Sequence, residues 1–262
     1  MKHTDPMSDR PIYVASCSFG KDSIATIILA IQHNEPLDKV VFSEVMFDHK
    51  RGISGEIPEH IKWIYDDAIP KLRNMGVSVD VVKSEKDYCY FFKKRRISGP
   101  YKGMFYGFPM GGMCHINSDC KVAPIKKYLS EIAGGSMYVK SRIIQYVGIA
   151  ADEHVRLSKL GGNKISLLAK YGYTEDMAKQ LCMDYKLLSP IYEITTRSGC
   201  WFCPNCRLQY FINLRRVHPK LWQELVELSL TPNLCAYGFK YKMTVQELEK
   251  KMDAKEQQYT LF

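Results

Sequence analysis

The chain has 262 residues, and its 37 Lys and Arg against 28 Asp and Glu give a formal net charge of +9 at pH 7. This length allows one large α/β domain, or one domain with a small appended module, and it is enough to bury a sizeable core. No apolar run reaches about 18 residues, which argues against a membrane-spanning helix, and no secretory signal pattern is visible. We therefore expect a cytoplasmic protein whose charge favours anionic partners such as nucleotides or nucleic acid.

The first predicted strand, Ile12–Cys17, is separated by only a short polar turn from an apolar helical pattern over Ser23–Gln32. The first N–H groups of a helix have no partner within the helix and lie at the positive end of its dipole, so a turn placed there by a strand suits phosphate groups. Gly20 permits close backbone approach and a positive φ. The predicted nucleotide-binding residues are Ser18, Phe19, Gly20, Lys21, Asp22 and Ser23.

The rest of the first half alternates strands and helices, which predicts an α/β fold with a doubly wound, mostly parallel sheet. Ligands of such sheets bind at the carboxyl ends of strands, where the polar turn lies. Asp48 follows the second strand and is a weaker candidate for contact with ribose or adenine. The further predicted strands are Lys39–Phe47, Val77–Val82 and Ile143–Ile149, and the further helices are Pro58–Met75, Pro124–Ile132, Thr174–Tyr185, Pro219–Leu230 and Met243–Lys251.

Two segments between these elements stand out by composition. Residues 98–120 are rich in Gly and Pro, which predicts a long irregular loop of the kind that is usually functional or mobile. Just before it, the basic run 93–96 follows the aromatic run 88–92. Basic residues beside aromatics can grip a phosphate backbone and stack bases, or the run can be a solvated helix end with its aromatics in the core.

Nine cysteines in a chain without an export signal favour metal-binding or catalytic roles over a disulfide framework. Cys200, Cys203 and Cys206 recur at intervals of three, so their thiolates can point at one centre. Sulfur ligands favour zinc or an iron–sulfur cluster, and spacing alone leans towards zinc. Cys120 is the first candidate for a fourth ligand, and the alternatives are Cys114, Cys235, His115 and His218.

The turn Ser-x-Gly-x-Asp-Ser resembles the PP-loop of the ATP pyrophosphatase superfamily, and it matches neither a Walker A loop nor a dinucleotide fingerprint. Further segments are similar to elements of PAPS reductase-like proteins, so that the resemblance covers roughly residues 10–230. Those segments are Cys120-Lys121-Val122-x-Pro124, Gly148-Ile149 through Glu153 and Arg156, Leu187–Tyr192, and Gly199-Cys200-x-x-Cys203-Pro204.

The resemblance implies an adenine nucleotide alpha hydrolase-like fold that binds ATP and Mg²⁺ and cleaves ATP to AMP and pyrophosphate. The catalytic residues it implies are Lys21, Asp22, Lys121, Glu153 and Arg156. The cysteines look more like those of DNA phosphorothioation sulfurtransferases and cluster-dependent tRNA thiolases, which implies a [4Fe-4S] cluster on Cys120, Cys200, Cys203 and Cys206. It also implies sulfur transfer to DNA or tRNA, with a cysteine desulfurase or other subunits as possible partners.

The sequence departs from true PAPS and APS reductases in several places. Ala150 replaces the usual arginine of the Gly-Ile-Arg element, and the Glu-Cys-Gly-x-His tail and the adjacent Cys-Cys pair are missing. Two alternatives to sulfur transfer stay open, namely a PAPS/APS reductase-type oxidoreductase and a zinc-stabilised nucleotide-binding subunit or sensor. The expected organisation is a PP-loop domain over residues 1–195 and a Cys-rich, helical segment over residues 196–262 packed on it.

Overall fold

The computed structural model describes residues 10–109, 114–195 and 198–259, except for the side chains of Ile194, Gln258 and Tyr259. Its backbone divides into two compact units, and each is built from separate stretches of the chain. The first unit comprises the described residues of Met1–Ser43, Glu59–Val82 and Ala123–Pro190. The second comprises those of Glu44–Pro58, Lys83–Val122 and Ile191–Phe262.

Strands and helices alternate through the first two thirds of the chain, and helices predominate after them. The strands are β1 Ile12–Cys17, β2 Lys39–Glu44, β3 Met46–Asp48, β4 Ile53–Ser54, β5 Val79–Lys83, β6 Ile143–Tyr146 and β7 Lys164–Ile165. The α-helices are α1 Lys21–Gln32, α2 Pro58–Trp63, α3 Ile69–Asn74, α4 Tyr88–Lys93, α5 Ala123–Ile132, α6 Val139–Arg142, α7 His154–Leu157, α8 Leu167–Lys170, α9 Glu175–Asp184, α10 Ile191–Ile194, α11 Leu208–Val217, α12 Pro219–Ser229 and α13 Val245–Tyr259. Two π-helical turns, Ile64–Ala68 and Ile116–Val122, and a 3₁₀ turn, Ser136–Tyr138, complete the list.

The main sheet has five strands in the order β5-β2-β1-β6-β7. The pairings of β1 with β2, of β1 with β6 and of β6 with β7 are parallel, which confirms the α/β fold with a mostly parallel sheet. The chain leaves β1 towards β2 and β5 on one side and returns to β6 and β7 on the other. The strand order therefore reverses between β1 and β6, the position where open parallel sheets bind ligands.

Alternate residues of the sheet point to opposite faces, and both faces are covered. Ala15, Phe42 and Tyr146 belong to a large buried cluster with apolar residues of α1, α3 and α9. Val14 and Ile143 belong to a smaller cluster with residues of α5. A parallel sheet buried on both faces needs apolar residues at nearly every position, as the sequence of β1 shows.

The second unit is built around a cluster of aromatic and aliphatic side chains from α4, α11, α12 and α13. Its small sheet is the antiparallel pair of β3 with β4. Phe47 of β3 packs against Trp201 and Phe202, with ring centroids 4.6 and 5.4 Å apart. The loop that carries three of the cysteines is therefore held by its own two large aromatic residues.

Most of the sequence-predicted elements are present with shifted ends. The predicted strand Lys39–Phe47 is two strands, because the chain leaves β2 at Val45 to pair β3 with β4. The predicted helix Pro58–Met75 contains a π-helical turn that ends at Ala68, two residues before Pro70. Since proline cannot donate a hydrogen bond to the residue four before it, the wider turn accommodates the interruption. The predicted strand Ile143–Ile149 ends at Tyr146.

The sequence placed one domain boundary after residue 195, whereas the compact units change over at five points along the chain. The last of these, after Pro190, lies near the predicted boundary. The others assign residues 44–58 and 83–122 to the same unit as the cysteine-rich segment. Within the described ranges, no helix is both long and apolar enough to cross a bilayer.

Candidate functional site

The turn after β1 has the strand–turn–helix geometry that the sequence predicted. Helix α1 begins at Lys21. Its N-cap residue is Gly20, so no N-cap side chain accepts a hydrogen bond from the first turn. The left-handed residue is Phe19, with φ 56°, whereas Gly20 is extended with φ −76°. The positive φ that Gly20 permits is thus not used by Gly20, and Phe19 adopts it instead. A non-glycine residue costs about 1–2 kcal/mol in that conformation.

The strained turn is held because the side chain of Phe19 is fully buried. Its ring packs edge-on against Phe42 and Trp63, with centroids 5.1 and 6.3 Å away. Burial of a phenyl ring stabilises by about 2–3 kcal/mol, enough to offset the backbone strain. Phe19 therefore can offer a ligand only its backbone, and its side chain acts by holding the turn.

The hydroxyl of Ser23 ties the turn together from inside. Its Oγ donates to the carbonyl of Gly20 at 2.9 Å and accepts from the N–H of Ser18 at 3.2 Å. The sulfur of Cys17 lies 3.5 Å from the same oxygen and accepts from the N–H of Phe19 at 3.3 Å. Ser23 thus fixes the turn, and the hydroxyl of Ser18 lies 3.5 Å from the same Oγ atom.

Lys21 is held between two carboxylates. Its Nζ lies 2.8 Å from Oδ1 of Asp22 and 2.7 Å from Oε2 of Glu175, the first residue of α9. Burial lowers the pKa of Lys21, and the hydrogen bonds to the two carboxylates more than offset it, so the pKa is raised. The ammonium group is therefore charged and positioned at the start of α1.

Asp22 lies in a cluster of acidic groups. Burial raises its pKa, the bond from Lys21 lowers it, and the charges of Glu175 and Glu153 raise it again, with a net rise. A cation bound beside this carboxyl group would stabilise its charged form. One or two carboxylates together with phosphates are the usual ligands of Mg²⁺, so the residue type and its surroundings fit that ion.

Glu153 and Arg156 follow β6, as the sequence predicted. One oxygen of Glu153 accepts from the N–H of Ala150 at 3.0 Å, and the other accepts from the guanidinium of Arg156. Arg156 is mostly exposed, with 57% of its side chain accessible. Such a pair contributes little to stability, so its position after a sheet strand, and not its energy, makes it a functional candidate.

Gly148 brings the turn after β6 against the start of α1. A Cβ atom built on Gly148 would lie 2.7 Å from the N of Ser23 and 2.8 Å from the C of Asp22. Only glycine allows this approach, since both neighbours are backbone atoms. The turns after β1 and β6 therefore meet where the strand order reverses. The sequence analysis identified Gly148 only as part of a motif and did not predict this close approach.

The three cysteines of residues 200–206 lie on consecutive tight turns of the second unit. The N–H of Cys203 donates to the carbonyl of Cys200, and the N–H of Cys206 donates to the carbonyl of Cys203, both at 3.1 Å. Lys240 fastens the loop, because its Nζ donates to the carbonyls of Cys206 and Pro204. The loop is thus preformed, and Lys240 adds positive charge near the sulfur atoms.

Cys120 and Cys114 differ in their surroundings. Cys120 is buried and donates its S–H to the carbonyl of Lys86 at 3.2 Å. Burial raises its pKa to about 11, with Cys114 among the smaller causes. Burial also raises the pKa of Cys200, with Glu56, Cys203 and Cys114 as further causes. Cys114 therefore lies within electrostatic reach of both thiols, and Cys120 as the fourth ligand stays a prediction.

Two further groups surround the cysteine loop. The buried carboxyl of Glu56 has a pKa raised to about 7 by burial, which the charge of Lys121 opposes and that of Glu44 reinforces. The hydroxyl of Tyr88 is buried with no hydrogen-bond partner in the described structure. Cys200 and Cys203 contribute to a raised pKa of Tyr88, after burial and Cys89. Lys121 thus lies within electrostatic reach of Glu56 and Cys200.

These features test whether a metal fits the cysteine loop. Thiol ligands, a nearby ammonium group and an unpaired hydroxyl donor are the chemistry that a thiolate-bound metal or cluster uses. Among the described residues, no group of three or more His, Cys, Asp or Glu side chains has the arrangement of a metal site. The residue types fit, and binding requires the side chains to converge.

Asp48 lies in the second unit at the end of β3. Its Oδ1 accepts from the N–H groups of Lys50 and Arg51 at 2.9 and 3.3 Å, which closes the hairpin turn. One oxygen is therefore engaged in local structure, and contact with a nucleotide stays a prediction. Arg197 beside the cysteine loop, residues 110–113 of the predicted loop and residues 260–262 lie outside the described residues.

Sequence reasoning missed Glu175, Glu56 and Tyr88 as members of these two clusters. From the sequence, Glu175 is recognisable only as an acidic residue in the first turn of a helix. That position predicts a favourable interaction with the helix dipole, but it does not predict an ion pair with Lys21. Glu56 and Tyr88 had no signal, since nothing in the local sequence reports that a side chain is buried beside cysteines.

Comparisons with known proteins add little to this geometry. No model of a protein family matches the chain, and no curated protein is similar to it. Among solved structures, the chain matches the U34-tRNA thiolase NcsA from Methanococcus maripaludis with its [4Fe-4S] cluster, at 17% identity and a TM-score of 0.41. The match covers 94% of this chain and 73% of the thiolase.

Proposed function

We propose that this protein is a PP-loop enzyme that binds ATP, releases pyrophosphate to activate an acceptor and supports sulfur transfer to it, with nucleic acid as the acceptor. One observation carries the proposal. The uncapped start of α1, with Lys21 and Asp22, lies where the turns after β1 and β6 meet at the reversal of the strand order. The resemblance of this turn to the PP-loop supports ATP as the ligand.

In the proposed reaction an oxygen of the acceptor attacks the α-phosphorus of ATP, and pyrophosphate leaves with the electrons of the broken P–O bond. A sulfur nucleophile then forms a bond to the activated atom of the acceptor, and AMP leaves with the electrons of that atom's broken bond to oxygen. The N–H groups of α1 and the ammonium of Lys21 stabilise charge on the phosphates. Asp22 holds Mg²⁺, and Arg156, oriented by Glu153, neutralises charge on the group being transferred. Lys121 stays a predicted contributor to the same charge stabilisation.

We propose that Cys200, Cys203 and Cys206, with Cys120 or Cys114, hold a [4Fe-4S] cluster or, as the alternative, zinc. Such a cluster supplies a place at which a sulfur species can be held before transfer. The chain's own contributions are the preformed turns of the cysteine loop, the positive charge of Lys240 and the donor group of Tyr88. A cysteine desulfurase is the class of partner that supplies the sulfur.

The ATP part is tested by measuring AMP and pyrophosphate formation from labelled ATP, with total tRNA or single-stranded DNA present. Ser23→Ala and Asp22→Ala are expected to abolish turnover while the protein stays folded. Asp184→Ala removes an exposed carboxylate of α9 and is expected to leave turnover unchanged. If both Ser23→Ala and Asp22→Ala keep releasing pyrophosphate, the nucleotide site is placed wrongly.

The metal part is tested by anaerobic purification with an ultraviolet–visible spectrum and analysis of iron, zinc and sulfide. A cluster held by cysteines gives about four irons and four sulfides per chain, and Cys203→Ser is expected to remove both. One zinc without colour favours the zinc-stabilised nucleotide-binding subunit instead. Comparing Cys120→Ser with Cys114→Ser identifies the fourth ligand, since only the true ligand lowers metal content.

The oxidoreductase alternative is separated by its substrate. A PAPS- or APS-type reductase reduces its adenylyl sulfate with a thiol and forms sulfite without releasing pyrophosphate. Sulfite formation from PAPS with a thiol donor, and no AMP formation from ATP, would favour that alternative over the sulfurtransferase.

A further inference from the structure

Residues 93–103 of the second unit are exposed without interruption. They contain five cations and no acidic residue, and the sequence has no acid between Asp87 and Asp119. The cations are Lys93, Lys94, Arg95, Arg96 and Lys102. An uninterrupted run of exposed cations creates a local positive potential that attracts polyanions.

The segment is ordered by its own backbone hydrogen bonds. The N–H of Arg96 donates to the carbonyl of Met104, and the N–H of Tyr106 donates to the carbonyl of Lys94, both at 2.9 Å. An antiparallel bridge joins Arg95 to Phe105, and the N–H of Phe105 donates to the carbonyl of Asn233 at 2.9 Å. Residues 93–106 therefore form a ribbon fixed at its base, which we call the basic arm.

The arm's cations are not neutralised. None of the five forms an ion pair with a carboxylate that the structure describes. By contrast, Arg51 pairs with Glu224 in the same unit, and Arg215 pairs with Asp253 and Glu256. The cations of the arm are distinguished by their clustering within residues 93–102 without an acidic residue among them, and this clustering points to an external anion.

Aromatic rings accompany the charges. The guanidinium of Arg95 lies 4.3 Å from the centre of the Phe105 ring, and that of Arg96 lies 4.6 Å from the Tyr106 ring. These contacts orient the cations. Tyr101, at the far end of the arm, is 51% exposed. An exposed ring among unpaired cations is the combination that binds single-stranded nucleic acid, where bases stack on aromatics and phosphates meet cations.

We propose that the basic arm binds a single-stranded segment of nucleic acid, with Lys94, Arg96 and Lys102 on phosphates and Tyr101 stacked on a base. The sequence left open whether the basic run contacts nucleic acid or ends a solvated helix. The structure answers the aromatic part only, because Tyr88 and Phe92 are core residues and α4 ends at Lys93, where the arm begins. The identity of the bound strand as the sulfur acceptor rests on the proposed function.

The test is fluorescence anisotropy of the full chain with labelled single-stranded RNA and DNA 20-mers, over a range of salt concentrations and without ATP. The triple variant Lys94→Gln, Arg96→Gln, Lys102→Gln is expected to bind roughly 10- to 100-fold more weakly near 0.15 M salt. The slope of log Kd against log salt should fall by about 2, since each phosphate contact contributes about 0.7. Arg95 is kept, because its Nη1 donates to the carbonyl of Gly103 at 2.6 Å and holds the arm.

A matched control removes three exposed cations of the same unit elsewhere. In this control variant, glutamine replaces Lys220, Lys250 and Lys251. The variant lowers the net charge by the same amount as the arm triple variant and is expected to bind as the native protein does. Stacking is tested separately at the end of the arm. Tyr101→Ala should weaken binding about 5- to 100-fold, whereas Tyr101→Phe should keep affinity within about twofold.

The outcomes separate this inference from the proposed function. Native affinity in the arm triple variant, or an equal loss in the control triple, overturns the arm as the binding surface. Duplex that binds as tightly as single strands overturns the stacking of Tyr101. Native protein that binds strands but forms no AMP from ATP contradicts the proposed reaction and leaves the arm intact. Tighter binding of RNA or of DNA supports the arm and identifies which acid it takes.

Discussion

The Nζ of Lys21 lies 2.7 Å from Oε2 of Glu175 and joins the first residue of α1 to the first residue of α9 across 154 positions of the chain. The same ammonium group contacts Asp22 at 2.8 Å. These two ion pairs hold the ammonium group of Lys21 in place without a ligand. Under the proposed function, the carboxylate of Glu175 orders Lys21 and also repels the phosphates of ATP.

Glu175→Gln is expected to tighten ATP binding roughly fivefold, because a half-exposed carboxylate beside the phosphates costs about 1 kcal/mol in repulsion. Isothermal titration calorimetry of the variant with ATP measures this directly. Asp176→Asn is the control, since it removes one negative charge from the next residue of α9. Asp176 forms no ion pair with any residue that the structure describes. Unchanged affinity in Glu175→Gln would show that the phosphates lie away from Glu175.

Gly148→Ala is expected to destabilise the protein by about 1–3 kcal/mol and to weaken ATP binding, since overpacking forces backbone shifts. The added Cβ would meet the N of Ser23 at 2.7 Å, and that atom belongs to the first turn of α1. Urea unfolding and ATP titration report the two effects. Gly161→Ala is the control because a Cβ there meets open space. Equal stability of the two variants would contradict the close approach.

Tyr88→Phe is expected to stabilise the metal-free protein by about 1 kcal/mol, because it removes a buried hydroxyl that has no described partner. With metal bound, the sign should reverse, since the hydroxyl then donates to sulfur. Urea unfolding of both forms measures the difference. Tyr128→Phe is the control, as its hydroxyl donates to Asp80 at 2.6 Å and its loss should destabilise both forms alike. If Tyr88→Phe lowers the stability of the metal-free protein, the Tyr88 hydroxyl makes a stabilising hydrogen bond there and is not unpaired.

Asp38→Asn is expected to lower stability at pH 7 by about 1 kcal/mol. Asp38 accepts from Arg10 at 2.6 Å and from the N–H of Tyr13 at 2.9 Å, which fixes the start of β2 beside β1. The bond from Arg10 lowers the pKa of Asp38, partly opposed by burial and aided by Tyr13. This stabilisation is present above the unfolded pKa near 3.8 and is lost as pH falls through the lower folded value.

Urea unfolding at pH 7 and at pH 2.5 measures this dependence, and the difference in stability between the native protein and Asp38→Asn should be smaller in acid. Asp67→Asn, on an exposed carboxylate of the first π-helical turn, is expected to show no difference at either pH. A difference in stability as large at pH 2.5 as at pH 7 would mean that the substitution acts through packing and not through the charge.

The sequence determined the parts of this protein that depend on neighbours in the chain. The pattern Ile12–Cys17, polar turn and apolar helix is local, so the strand, the turn and the start of α1 could be predicted. The N-cap Thr174 is likewise a local feature, since its Oγ1 accepts from the N–H of Met177 three residues on. The spacing of Cys200, Cys203 and Cys206 predicted thiolates that can point at one centre, and the structure places the three residues on consecutive tight turns.

The tertiary structure alone decided which distant residues meet. The strand predicted over Lys39–Phe47 breaks at Val45, since pairing with β4 depends on the hairpin that follows. Glu175 reaches Lys21, and Gly148 meets Ser23, because the sheet order places β6 beside β1 and α9 beside α1. Periodicity reports burial and element type, but it carries no information on which elements pack together. That choice depends on burying the apolar faces of the whole unit at once, and it fixed the geometry of the candidate site.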